Sequence, residues 1–277
     1  MIDIKVPNVE DSFADFYWRD AEDPNNFSKW YPKVKDHFRT PKTKNFKIPI
    51  SVANSLGDFN KCEKDPEALG NVMEWLQDVC TDCSHTIRSP RIFVKNARFS
   101  NKFDFKTCCT HLNPTELLPC IVSIFYASMC TGALGFTEIV IREFLEYDDA
   151  KTYTMYEGMP IRPEYRVFYN FDEQRLVHIH DYWDSEYVAS HLYSKNDKAI
   201  FELAMKDYED VWLKHAPEVK KLVEERAKLV KGLSGLWSLD FLYLSEEDAK
   251  FEQQPGLYLI DAAIGCQSAY YKPEFED

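Results

Sequence analysis

The sequence predicts an α+β fold built mainly from antiparallel strand pairs. Two stretches, 164–182 and 236–263, each read as strand, polar turn and strand, the signature of a hairpin. Stretches of helical period lie between the strands without the regular strand–helix alternation of a doubly wound sheet. At 277 residues the chain is long enough for two or three subdomains around substantial cores.

Three divisions are expected: a small N-terminal α/β domain over 1–90, a subdomain over 91–147 and another over 148–277. The first ninety residues are rich in Pro, Asn, Asp and aromatics, which predicts short strands and one helix over 65–80. In that helix Ala68, Val72, Trp75 and Leu76 fall at helical spacing. From Arg91 the texture changes. Residues 92–95 read as a strand and 114–126 as a helix with Asn113 as cap and Pro at its first position. A further strand is read over 138–145, and an irregular stretch follows with Pro160 and Pro163. Next comes a hairpin of 164–170 and 175–182, turning near Asp172. Residues 197–231 have a helical pattern expected to break at Pro217. The chain closes with strands over 236–244 and 257–263, joined by a long acidic loop.

Composition excludes some functions. The formal net charge of −13 argues against nucleic acid as the main ligand, since neutralising many phosphates calls for a basic surplus. The longest apolar run, 117–129, contains Pro119 and falls short of the roughly 18 residues of a membrane-spanning helix. Met1-Ile-Asp-Ile-Lys5 lacks a signal-peptide pattern, so a cytoplasmic location is expected. Eight cysteines in a chain of this length predict reduced, mostly buried thiols. Zinc at the lone Cys80/Cys83 pair is the rival reading.

Four constellations carry candidate chemistry. Only nine glycines occur and none builds a phosphate loop, so an anion site here must use side chains. The first constellation is the basic segment 91–106, with Arg91, Lys95, Arg98, Lys102 and Lys106 against the single acid Asp104. Lys95 ends an apolar strand, where a cation is costly unless an anion meets it. A phosphate would meet it, with Lys102 as a second clamp; a solvated loop paired with surface acids is the alternative. The second is Asp240 and Asp261. A hairpin centred between Lys250 and Phe251 sets them opposite each other, where like charges repel unless a cation lies between, and Mg²⁺ suits such oxygen ligands. Two unrelated strand-end aspartates are the alternative. The third is Glu164-Tyr-Arg166, which alternation puts on one face with Phe168; Arg166 offers a fork to a phosphate or carboxylate, or to an internal ion pair. The fourth, His178 and His180 on one strand face, reads as packing, since no third metal ligand is placed.

Taken in order, these pieces resemble the ATP-grasp superfamily: Phe93-Val-Lys95, Lys102, Ile139-Val-Ile-Arg-Glu-Phe-Leu145, Glu164-Tyr-Arg166, Ser238-Leu-Asp240 and Leu259-Ile-Asp261. Within it, Asn26-Phe-Ser-Lys-Trp-Tyr-Pro32, Ile48-Pro49 and Tyr165-Arg-Val-Phe168 are similar to the eukaryotic cell-division-cycle group that chaperones assembly of translation initiation factor 2. The resemblance spans most of the chain as short, spaced motifs. It implies ATP held between antiparallel sheets of two subdomains, the adenine lying against Glu143, Phe144 and Leu145, with Glu146 or Asp148 near the ribose. It further implies Lys95 and Lys102 on the phosphates, Arg166 on the terminal phosphate, and Mg²⁺ on Asp240 and Asp261. Lys102 and Arg166 are then the catalytic candidates. Ala263 stands where the family carries an asparagine ligand, and the long acidic insert of many relatives is missing. The implied activity is ATP-dependent ligation of a carboxylate to an amine through an acyl phosphate. The rivals are an ATP-binding assembly chaperone for a protein partner and a kinase-like phosphotransferase.

Overall fold

A computed structural model describes residues 13–133, 135–148, 151–192 and 194–276; the segment Met1–Lys5 read above lies outside them. The described residues begin with helices α1 (Phe13–Ala21) and α2 (Phe27–Val34), strand β1 (Thr43–Lys47), and helices α3 (Ile50–Gly57), α4 (Phe59–Cys62) and α5 (Pro66–Ser84). Then come β2 (Arg91–Asn96), β3 (Cys109–His111), α6 (Pro114–Thr131) and β4 (Glu138–Glu143). A two-stranded ribbon, β5 (Thr154–Met155) and β6 (Met159–Pro160), leads to β7 (Glu164–Asn170), β8 (Arg175–Asp181), α7 (Ser185–His191) and α8 (Lys195–Arg226). The last strands are β9 (Leu236–Leu244) and β10 (Gly256–Ile264). The architecture is α+β, with two four-stranded sheets ordered β1-β4-β2-β3 and β10-β9-β7-β8, antiparallel throughout.

Local chemistry explains the helix starts. The Asp65 carboxylate accepts from the Glu67 and Ala68 N–H groups at the head of α5, and the Asn113 side chain accepts from Glu116 N–H at the head of α6. Each helix has proline in its first turn, where no intrahelical N–H is needed.

The structure departs from the sequence expectation in four places. The first ninety residues hold five helices and one strand among the described residues, because short amphipathic faces hide among the Asn, Asp and Pro. In α2, Phe27, Trp30, Tyr31 and Val34 recur at i, i+3, i+4 and i+7. The sheet and core also run across the division expected at residue 90, since β1 pairs with β4 and α5 packs against α6. The long helix α8 continues through Pro217. Both Pro217 and Leu213, whose carbonyl loses its N–H partner, lie on the exposed side, where water can take the carbonyl. Finally, β4 stops at Glu143, so 144–148 form a connection between the halves.

Each sheet has one face covered by helices. Ile92, Val94, Ile139 and Ile141 of the first pack with Val72, Leu76, Leu117 and Ile121 from α5 and α6. Tyr165, Val167, Leu239 and Phe241 of the second pack with Val219 and Val223 of α8 and with Trp30 and Val34 of α2. The uncovered faces turn toward each other and enclose a cleft. No helix among the described residues is long and apolar enough to cross a membrane.

Trp30 is 1% exposed and ties the N-terminal helices to the second core. Trp30→Ala is expected to cost about 3–5 kcal/mol, read as a lowered urea midpoint. A loss under about 1 kcal/mol would show that α2 does not anchor that core.

Candidate functional site

Strand alternation decides what the cleft contains. On β2, Ile92 and Val94 enter the helix-covered core while Phe93 and Lys95 face the second sheet. The β2–β4 register sets Arg142 beside Phe93 on that same face. On β7, Tyr165 and Val167 enter the other core, leaving Glu164 and Arg166 toward the cleft. Arg166 pairs in register with Asp240 on β9, and Asp240 with Asp261 on β10, so the three stand in one cross-strand row.

A bulge makes that row possible. Leu257 and Leu259 are core residues, and uninterrupted alternation would send Asp261 into the core with them. The register shifts between Leu259 and Asp261, after which Ala262 faces the core and Asp261 the cleft.

Two adjacent carboxylates repel unless a cation intervenes. Here the protein supplies two. Arg166 grips Asp240 with both arms, Nε to Oδ1 at 2.8 Å and Nη2 to Oδ2 at 2.7 Å. Lys95, 1% exposed, reaches across from the first sheet to Asp261 Oδ2 at 2.6 Å, and Asp261 Oδ1 accepts from Ala262 N–H at 3.0 Å. Arg142 also crosses the cleft, donating to the Ile260 carbonyl. Arg162 donates through Nη1 to the Leu145 and Glu146 carbonyls at 2.9 Å, while its buried Nε has no partner among the described residues.

The cleft lining therefore mixes two chemistries. Leu145, Met159, Leu242 and Ile260 are its apolar part beside the 144–148 connection, with Arg162 and Arg142 on the Leu145 and Ile260 carbonyls; Lys102, Glu143, Glu164, Asp240 and Asp261 supply further charge. Five basic groups (Lys95, Lys102, Arg142, Arg162, Arg166) stand with four carboxylates (Glu143, Glu164, Asp240, Asp261), close to balance in an acidic chain. Burial pushes the Glu164 carboxyl up to about 7, against the pull of Lys102 and Arg162. Burial brings the Lys102 ammonium down to about 8, against the pull of Glu164 and with help from Arg166. The half-open cleft offers a free volume of about 90 Å³, well below the roughly 300 Å³ at which small-molecule pockets begin. A ligand larger than a few atoms extends out of the open side or displaces lining side chains.

The structure brings together Lys95, Lys102, Arg166, Asp240 and Asp261, with Phe144 and Leu145 along the wall. Lys102 makes no ion pair with a described carboxylate; its ammonium lies 4.0 Å from the centroid of the Tyr182 ring. Other candidates lie elsewhere. Although Glu143 borders the cleft, its carboxylate accepts from Lys42 N–H at 2.9 Å, and burial raises its pKa. Glu146 is not a lining residue: its buried carboxylate pairs with Arg91 and takes the Ser89 hydroxyl at 3.4 Å, so a ribose contact from it is not available. Asp148 sits at the far end of the connection, donating its N–H to Asp248 at 2.8 Å. The Phe144 carbonyl and Glu146 N–H are both held by the Gln253 carboxamide, at 2.8 and 3.2 Å. Within the basic segment, Arg91, Arg98 and Lys106 pair with Glu146, Asp20 and Asp23, and Glu157, so the ordinary ion-pair reading holds for those three.

All the cysteines are free thiols, five of them buried, and no group of three or more metal-ligating side chains occurs among the described residues, so the Cys80/Cys83 pair has no further ligand. His178 stacks on Phe275 and His180 on Tyr270, with ring centroids 5.2 and 4.1 Å apart. Sequence reasoning missed Arg142 and Arg162. Each carried a signal: Arg142 interrupts an apolar strand, and Arg162 stands between two prolines in an otherwise apolar stretch.

No family model and no curated protein matches the chain. Among solved structures it is similar to Cdc123 from Schizosaccharomyces pombe, at 16% identity over 86% of this chain and 81% of that one, with a TM-score of 0.47. It is also similar to D-alanyl-alanine synthetase A from Vibrio cholerae (11% identity, TM-score 0.36) and to the VanG D-Ala:D-Ser ligase from Enterococcus faecalis (13%, 0.37). The aligned regions cover 88% and 91% of this chain but only 56% and 55% of those ligases. The likeness is one of general arrangement.

Asp261→Asn leaves Lys95 buried without a counter-charge and is expected to cost about 3 kcal/mol of unfolding free energy. Lys95→Met keeps the volume, leaves a carboxylate that water can reach, and is expected to cost less. Paired urea titrations check the order; Lys95→Met as the more damaging change would contradict it.

Proposed function

We propose that the cleft binds ATP in the manner of an ATP-grasp protein and that the chain is an ATP-dependent carboxylate–amine ligase. The observation that carries this is the cleft's mixed chemistry between two antiparallel sheets: an apolar lining beside the connection, and five basic side chains (Lys95, Lys102, Arg142, Arg162, Arg166) among four carboxylates. A nucleoside triphosphate has matching parts, an apolar base and an anionic chain.

The base would lie in the slot formed by Leu145, Met159, Leu242 and Ile260, beside Phe144. Because Gln253 holds the Phe144 carbonyl and the Glu146 N–H, an adenine edge would have to displace that carboxamide or use other backbone groups of the connection. Lys95, Lys102 and Arg142 would take phosphate oxygens as charged donors, and Arg166 the terminal phosphate. Asp240 and Asp261 offer hard oxygen donors of the kind Mg²⁺ takes alongside phosphates and water. Bound there, the ion would neutralise charge on the moving phosphoryl group. Arg166 and Lys95 now fill that role for the two carboxylates, so their transfer to phosphate would free the carboxylates at the same moment.

In the ligase reading a substrate carboxylate oxygen attacks the terminal phosphorus and the bond to the ADP oxygen breaks. An amine then attacks the acyl carbon, phosphate leaves, and the amine loses a proton. The residues contribute position and charge stabilisation. The second reading is an ATP-binding assembly chaperone in which nucleotide is held without turnover. It is favoured by the engagement of both Asp240 oxygens by Arg166.

Calorimetry with ATP is expected to show Mg²⁺-dependent binding, weakened about ten- to a hundredfold by Arg166→Met, the worth of a charged hydrogen-bonded contact. No binding at millimolar ATP would sink the nucleotide reading. ADP and phosphate released only with a carboxylate and an amine present would support ligation; tight binding with no turnover across acceptor pools would leave the non-catalytic reading.

The pH dependence has a definite sign. Between pH 6 and 9 Glu164 gains a negative charge near 7 and Lys102 loses a positive one near 8. Both changes lower affinity for an anion, by about tenfold each. Glu164→Gln should flatten the lower limb of the affinity profile and leave the upper; a profile rising with pH would contradict this assignment.

A further inference from the structure

Beyond Lys102 and Tyr182, which line both, the cleft adjoins a second cavity of about 290 Å³. Its walls are aromatic: Phe103, Tyr156, Trp183, Tyr187 and Tyr270. Two cations stand at its junction with the cleft. The Lys102 ammonium lies 4.0 Å from the Tyr182 ring centroid and pairs with no described carboxylate; the Arg166 guanidinium lies 4.9 Å from the same centroid. Trp183 is 3% exposed, and its indole N–H finds no hydrogen-bond partner among the described residues. A buried donor without an acceptor is uncommon and costly.

These features select one kind of occupant. The rings offer faces to an aromatic or long apolar body, and the volume is at the small end of ligand pockets. A cationic ligand is disfavoured, because Lys102 and Arg166 already lie over the Tyr182 ring and would repel it. An anionic head would find an unpaired ammonium at the junction.

We infer that this cavity binds a small carboxylic acid with an aromatic or apolar body, its carboxylate on Lys102 at the junction with the nucleotide cleft. The inference deepens the ligase reading, for it places the acid that would be phosphorylated beside the terminal phosphate. The cavity itself stands on its own geometry.

The test is ligand-observed NMR on the nucleotide-free protein with 3-phenylpropionate, alongside 3-phenylpropionamide and phenethylamine. The acid is expected to bind, and the amide and amine to bind at least about tenfold more weakly. Lys102→Met should remove the preference for the acid while the protein keeps its thermal transition. Tyr187→Ala, at a ring 45% exposed, should weaken the acid severalfold and leave ATP affinity unchanged. Equal binding of acid and amide, tighter binding of the amine, or no binding of the acid overturns the inference. ATP affinity, measured separately, distinguishes the two failures. ATP binding without acid binding leaves the nucleotide cleft and removes this site, whereas acid binding without ATP binding does the reverse.

Discussion

The cleft depends on one line of charge: Arg166, Asp240 and Asp261 side by side on the second sheet, closed by Lys95 from the first. Remove the outer cations and two carboxylates face each other, the buried Asp240 and the partly exposed Asp261. Remove the carboxylates and a nearly inaccessible lysine is left without a counter-charge. Such a row is a weak source of stability, because desolvating four charges cancels most of their mutual attraction. A hydrophobic seam would hold two sheets together at less cost. The sheets are joined by these ionic contacts together with the apolar packing of Val140 and Leu145 against the second sheet.

The row in turn depends on a single extra residue. The bulge between Leu259 and Asp261 changes which side chains of β10 face the core, so Leu257 and Leu259 serve packing and Asp261, two residues on, serves the cleft. Because 257, 259 and 261 share one parity, regular alternation would put all three on one face. Forcing the same residues into unbulged alternation would return Asp261 to the core face and turn Ala262 outward, exchanging a charge for a methyl group.

Much of this was legible in the sequence because it rests on local periodicity. The hairpin of β7 and β8, the capped starts of α5 and α6, and the opposition of Asp240 and Asp261 follow from alternation, Asn and Asp caps and a hairpin centre. What was not legible is set by contacts distant in sequence. Nothing near Lys95 announces Asp261, 166 residues away, as its partner. Sequence reasoning therefore asked for an outside cation between the aspartates that Arg166 and Lys95 already supply. Glu146 looked available until Arg91, across the fold, took its carboxylate. The short helices before residue 62 were missed because each is only two turns or so long, too short for a helical period to stand out.

The self-paired cleft bears on what could open it. Lys95 to Asp261 and Arg142 to the Ile260 carbonyl both cross from one sheet to the other, and both use cations whose natural competitors for an acidic partner are phosphate oxygens. An uncharged ligand of the same size gains nothing from these side chains and would have to displace them. An anionic chain offers Lys95 and Arg142 new partners, and a divalent ion offers Asp240 and Asp261 replacements for the cations they give up. Opening would then exchange one set of ion pairs for another, so that desolvation already borne in the self-paired cleft would not be incurred again. On that argument the internal ion pairs and the proposed ligand-binding role are alternate states of the same residues. The small free volume of the cleft is what a preorganised but self-paired site should show.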